Sequence, residues 1–147
     1  LTMENPVAIQ CVGIKKSYGK GECQIEALKG VDLSIHSGEL TLLVGPSGSG
    51  KSTLLSVITS ILQPDEGKLL ILDKDVHGMT EDEKAKFCSE NIGIVFQSLF
   101  LIPTLTVVEN ITLPLLVSGT PEDVAEKKAE DILQKLQTIT TLHTNIR

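Results

Sequence analysis

Positive charge is in short supply in this chain. Thirteen Lys and Arg face nineteen Asp and Glu, a net charge of −6. A nucleic-acid binder favours a basic surface, so none is expected here. Cysteines number three, Cys11, Cys23 and Cys88, with no C-x-x-C spacing. Reduced thiols are expected rather than a metal site or a disulfide framework. No apolar run reaches the ~18–20 residues of a membrane-spanning helix, and no signal-peptide pattern is visible. Work at a membrane would require another chain to do the spanning. Aromatics are only 3%, yet hydrophobic residues are 41%, so a core of Leu, Ile and Val is expected. The length of 147 residues argues for one domain or part of one.

Residues 7–18 are rich enough in β-branched and apolar side chains for a strand, ended by Gly19 and Gly21. Val31, Leu33 and Ile35 alternate with Asp32, Ser34 and His36, which predicts a strand with one buried face. Leu40–Val44 is nearly all apolar and reads as a strand buried on both faces. Leu54, Leu55, Ile58, Ile61 and Leu62 form a helical stripe. Pro64–Gly67 predicts a turn, Lys68–Leu72 a strand, and Ile92–Phe96 a further buried strand. Thr80 with Glu83, and Thr106 with Glu109, have capping-box spacing. Thr120 is placed to cap a helix beginning at Pro121, with Ala125, Ala129, Ile132, Leu133 and Leu136 as its apolar face. Strands thus dominate the first two-thirds and helices the last third.

Between the Leu40–Val44 run and the helical stripe stands "GPSGSGKST", Gly45–Thr53. Gly45, Gly50, Lys51 and Ser52 satisfy G-x-x-x-x-G-K-[ST]. Small residues let the backbone wrap an anion, with successive N–H groups pointing inward. The following helix presents its positive dipole end to the same place. Lys51 is placed to reach β- and γ-phosphates, and the Ser52 hydroxyl to ligate Mg²⁺. The strand–loop–helix context is the one this motif requires. Two segments imitate other phosphate-site motifs. "LLILDK" mimics an apolar strand ending in an Asp that holds Mg²⁺, and "DVHG" fits the D-x-x-G of GTPases. No N-K-x-D guanine-reading motif accompanies them, and Asp73 and Asp75 read as solvated strand-end residues.

The long run from "SYGKGE" through the glycine loop to "PDEGKLLI", followed by "NIGIVFQ" and "LIPTLTVVENITLPL", resembles the ATP-binding subunit of ABC transporters. It is most similar to the macrolide-export and lipoprotein-release subfamily, over about Ile9–Leu136. The resemblance implies an α/β fold of the P-loop NTPase type, an ABC ATPase core with N-terminal antiparallel strands and, in this chain, an incomplete sheet. It implies ATP and Mg²⁺ as ligands. Tyr18 matches the aromatic that stacks on adenine. Gly45, Pro46, Ser47, Gly48, Ser49, Gly50, Lys51, Ser52 and Thr53 match the Walker A loop. Gln97 matches the Q-loop glutamine, which touches Mg²⁺ and the attacking water, so Lys51 and Gln97 are the candidate catalytic residues. His36, His77 and His143 match no family position and are given no role.

The same resemblance divides the chain into an ATP-binding core at 6–97, the start of a helical subdomain at 98–137 and an atypical tail at 138–147. The family's L-S-G-G-Q signature, Walker B Asp-Glu and switch histidine are not in the sequence. Nucleotide binding is therefore expected and turnover is not. The tail "TITTLHTNIR" is expected to reflect a frameshift, a premature stop or a deliberately shortened chain. The implied partners are a transmembrane permease and, in the intact protein, a second ATP-binding subunit. The implied location is cytoplasmic, at the inner face of the membrane through the permease. Two alternatives are a soluble ABC-type ATPase and a non-catalytic nucleotide-binding fragment.

Overall fold

β1 (Val7–Tyr18) forms over the residues whose composition predicts it, and it carries the whole sheet. β2 (Ile25–His36) pairs along one edge and β3 (Glu66–Ile71) along the other, both antiparallel. β4 (Lys74–Asp75) adds to β3 and completes the order β2-β1-β3-β4. The computed structural model describes residues 5–98 and 100–136. The tail at 138–147, with His143, lies outside the described residues.

Cys11 and Ile14 are both buried although they are three residues apart, which strict alternation forbids. The register of β1 shifts between them, at Gly13, whose φ of +59° marks a bulge. The extra residue resets the phase so that both side chains face inward. The Asp32 carboxylate accepts the Gly13 N–H at 2.8 Å and so satisfies the bulged backbone. Against this face pack α1 (Lys51–Ile58) and α2 (Glu81–Asn91). Cys11, Ile14, Leu28, Leu54, Val57, Ile58, Leu69, Ile71, Val76 and Phe87 make one apolar cluster. Burial raises the pKa of the Cys11 thiol above its ordinary value.

Several expectations need correction. Leu40–Val44 is not a strand, and Leu40 and Leu42 are almost fully exposed. Ile92–Phe96 is not a strand either, and Ile94, Val95 and Phe96 are exposed. Each run is apolar enough for a central parallel strand, but a strand needs ladder partners on its flanks. Among the described residues neither run has any. α1 stops at Ile58, so the predicted stripe loses its later turn. Leu55 and Ile61 are exposed, while Val57 takes a core position. β3 starts at Glu66 and ends at Ile71, so the predicted turn is shorter and the strand shifts toward the N-terminus. Leu72 and Asp73 then form a two-residue hairpin with φ of +50° and +61°. Asp75 turns back to accept the Gly78 N–H in the 3₁₀ turn Val76–Gly78.

The chain divides at Gly93/Ile94, and the second unit is a helical pair. α3 (Val107–Val117) opens with the capping box of Thr106 and Glu109. The Asn110 side chain clasps the preceding loop, accepting from Ile102 N and donating to Ile102 O. α4 (Glu122–Lys135) starts one residue later than predicted. Pro121 rather than Thr120 is its N-cap, because the Pro121 carbonyl accepts the first helical bond, from Ala125. Ala125, Ala129 and Leu133 are buried, and Ala129 and Leu133 pack with Val108 of α3. Ile132 and Leu136, the other predicted members of that face, are exposed.

Candidate functional site

The turn between the exposed Leu40–Val44 run and α1 is set by Gly50. Its φ of +86° is left-handed, and a Cβ there would sit 2.5 Å from the Ala27 carbonyl of β2. Only glycine lets the loop lie this close to the sheet while starting a helix at the next residue. α1 therefore begins at Lys51, with its free N–H groups and positive dipole end at the loop. Lys51 folds back over the loop. Its Nζ donates to Gly45 O at 2.8 Å, to Pro46 O at 2.6 Å and to Ser49 Oγ at 3.3 Å. All three acceptors belong to the loop itself, so the Lys51 ammonium lies against Gly45–Ser49. A cavity of about 230 Å³ opens beside Ser47, Gly48, Lys51, Ser52 and Thr53, walled by Ala27.

Tyr18, the last residue of β1, comes to the same place. Its hydroxyl lies 3.4 Å from Thr53 Oγ1, and its ring is half exposed. The fold thus brings Tyr18 to Thr53, the last residue of the Gly45–Thr53 run, across 35 residues of sequence. Ser52 is exposed in the first turn of α1. One hydroxyl on a phosphate loop fits Mg²⁺, which keeps most of its ligands as water and phosphate oxygens. Among the described residues, no group of three or more His, Cys, Asp or Glu gathers to hold a metal by itself. Gln97 belongs to the second unit, where it is exposed on an irregular segment.

Asp65 is a neighbour of Tyr18 that sequence reasoning missed. Its carboxylate accepts from Lys16 Nζ and from Ser17 N, each at 2.7 Å. The Lys16 ammonium, then the Ser17 amide, hold its pKa below the usual carboxylate value. In the sequence it is an ordinary turn residue after a proline, and its partners are almost fifty positions away. A roomier cavity, about 500 Å³, lies between β4 and α2. Lys74 and Lys86 alternate there with Asp75, Glu83 and Glu90, which offers no single-signed seat for an anion.

The sequence matches the family described as ABC transporter over residues 28–147. The lipoprotein-releasing system ATP-binding protein LolD of Saccharophagus degradans is 36% identical over 134 residues, 91% of this chain and 58% of that one. The macrolide export ATP-binding/permease protein MacB 1 of Aeromonas hydrophila is 39% identical over 134 residues, 91% of this chain and 20% of that one. The dimeric ATP-binding cassette MJ0796, solved in a post-hydrolysis state with ADP and Pi, superposes with a TM-score of 0.80 at 36% identity. That match covers 92% of this chain and 60% of the cassette. The chain spans a little over half the length of several relatives of this kind. Its sequence and its fold alike make it a member of the ABC transporter family.

Proposed function

We propose that this chain supplies the nucleotide-binding part of an ABC transporter ATP-binding subunit. Gly45–Thr53 would cradle the triphosphate, Lys51 would pair with the β- and γ-phosphates, and Tyr18 would stack on the adenine. The observation that carries this reading is the cavity lined by Lys51 and the first turn of α1, with the Tyr18 hydroxyl against Thr53 of that lining. MgATP fits a site with a cationic side chain, helix N–H groups and one hydroxyl, Ser52. Gln97 would serve as the Q-loop glutamine. The division proposed from sequence is a core at 6–97, the start of a helical subdomain at 98–137 and an atypical tail at 138–147, whereas the compact units divide at Gly93/Ile94.

Hydrolysis belongs to this family of ATPases, but phosphoryl transfer depends on positioning the water and neutralising developing charge. These residues bind and orient the nucleotide. They include no general base and no group that would contact a second subunit's γ-phosphate. Binding without appreciable turnover is therefore proposed for the 147-residue chain. The whole protein would dimerise around ATP and drive a permease that exports or releases a lipophilic substrate. Names such as ATP-binding/permease protein and lipoprotein-releasing system among its relatives support that direction. Such a subunit would sit at the cytoplasmic face of the membrane through its permease.

The test is calorimetric titration of the chain with MgATP, beside Lys51→Ala. Saturable binding that Lys51→Ala weakens by roughly tenfold or more, the scale of one lost charge-assisted contact, is expected. Equal binding by both proteins would sink the assignment of the loop.

A further inference from the structure

We propose that Asp65 is a positioning residue for Tyr18, and through it sets the part of nucleotide affinity that depends on the base. This rests on the reading of Tyr18 and Gly45–Thr53 given above. Pairing between β1 and β3 ends at Lys15 opposite Glu66. Beyond that point the β3 side of β1 has no strand to bond. Asp65 takes the place of one. Its own N–H donates to Lys15 O at 2.9 Å, its Oδ1 accepts from Lys16 Nζ, and its Oδ2 accepts from Ser17 N. Three consecutive residues are thus bonded to one aspartate, and Tyr18 is the next.

On the β2 side Tyr18 pairs with Ile25, the last pair of that ladder, and the chain beyond it offers little restraint. Gly19 and Gly21 follow it, both in left-handed conformations. The ring is half exposed, and its hydroxyl has one long contact, to Thr53. A strand end frays where its ladder stops and glycine follows. Asp65 secures the opposite edge of β1 up to the residue before the aromatic, so with the Ile25 pairing the ring is held beside the phosphate loop before any nucleotide arrives. Ordering the ring in advance removes an entropic cost from binding. The effect is confined to ligands that carry a base, because the phosphate contacts come from Gly45–Thr53 and α1.

Tyr18 is the only tyrosine and the chain has no tryptophan, so its near-ultraviolet emission comes almost wholly from this ring. Its fluorescence lifetime, which absorption by adenine leaves unchanged, would be followed during titration with MgATP. Binding of ATP and of inorganic tripolyphosphate would be measured by calorimetry, for the parent chain and for Asp65→Ala, Asp65→Asn, Tyr18→Ala and the double variant Tyr18→Ala/Asp65→Ala. Tyr18→Ala is expected to weaken ATP about five- to 150-fold, the range for loss of one stacked base, and Asp65→Ala about threefold or more. Asp65→Asn keeps an acceptor for Ser17 N and should fall between Asp65→Ala and the parent. Tripolyphosphate should bind all five proteins alike, which also reports that each is folded. In the double variant, loss of Asp65 should add nothing to loss of Tyr18. The inference is overturned if Asp65→Ala weakens both ligands equally, if it leaves ATP binding and the Tyr18 lifetime unchanged, or if its effect adds to that of Tyr18→Ala. Failure of the parent chain to bind either ligand overturns the phosphate-loop reading itself, and this inference with it.

Discussion

Two glycines of one loop separate conformational strain from steric conflict. Gly48 and Gly50 both have left-handed φ, but a Cβ at Gly48 meets open space while one at Gly50 meets the Ala27 carbonyl. Gly48→Ala should therefore cost only the left-handed penalty, about 1–2 kcal/mol. Gly50→Ala should cost more and also displace the loop from β2. Thermal melts would rank the two, and equal losses would contradict the close approach. Asp65 gives a pH prediction with a definite sign. Its folded pKa is depressed, so its contribution is complete above the ordinary aspartate range and is lost as pH falls through the depressed value. The stability gap between the chain and Asp65→Asn should narrow on acidification below about pH 4, and a gap that widens would refute it. The glycine turn into a helix at Lys51 was readable from sequence because residue type and spacing mark it locally. Asp65 was not, because nothing local marks an aspartate whose partners arrive from a distant strand.

Helix starts were legible for the same local reason. Thr80 and Glu83, and Thr106 and Glu109, form reciprocal capping boxes where their spacing predicts them. Thr106→Ala should lower the stability of the second unit by about 1 kcal/mol, measurable by urea denaturation followed by circular dichroism. Strands were legible only where hairpins supply the partner. Val7–Tyr18 is paired on both sides, whereas Leu40–Val44 and Ile92–Phe96 carry the pattern and lack the neighbour. The turn at Leu72 and Asp73 went unread because leucine is a poor signal for a left-handed residue. Leu72 is half exposed, so Leu72→Asn should relieve that strain and raise the melting temperature. A lower melting temperature would mean that its side chain contributes more by packing than it loses by strain.

At the scale of the whole chain, apolar surface outruns what the described core covers. Leu40, Leu42, Val95 and Val117 are each more than four-fifths exposed. Unpaired apolar segments of this kind drive association between chains. Sedimentation of the 147-residue chain should show mass rising with concentration. Leu42→Lys with Val95→Lys should suppress the rise, and a monomer across the range would argue that these residues are covered some other way. The boundary between the two units has a consequence for how the chain comes apart. Every residue of the first unit's core cluster lies at or before Phe87, and Val95 and Phe96 are exposed on an irregular run. A protease that prefers aromatic residues should cut there first, leaving an N-terminal piece whose sheet, glycine loop and Tyr18 survive the loss of everything after it.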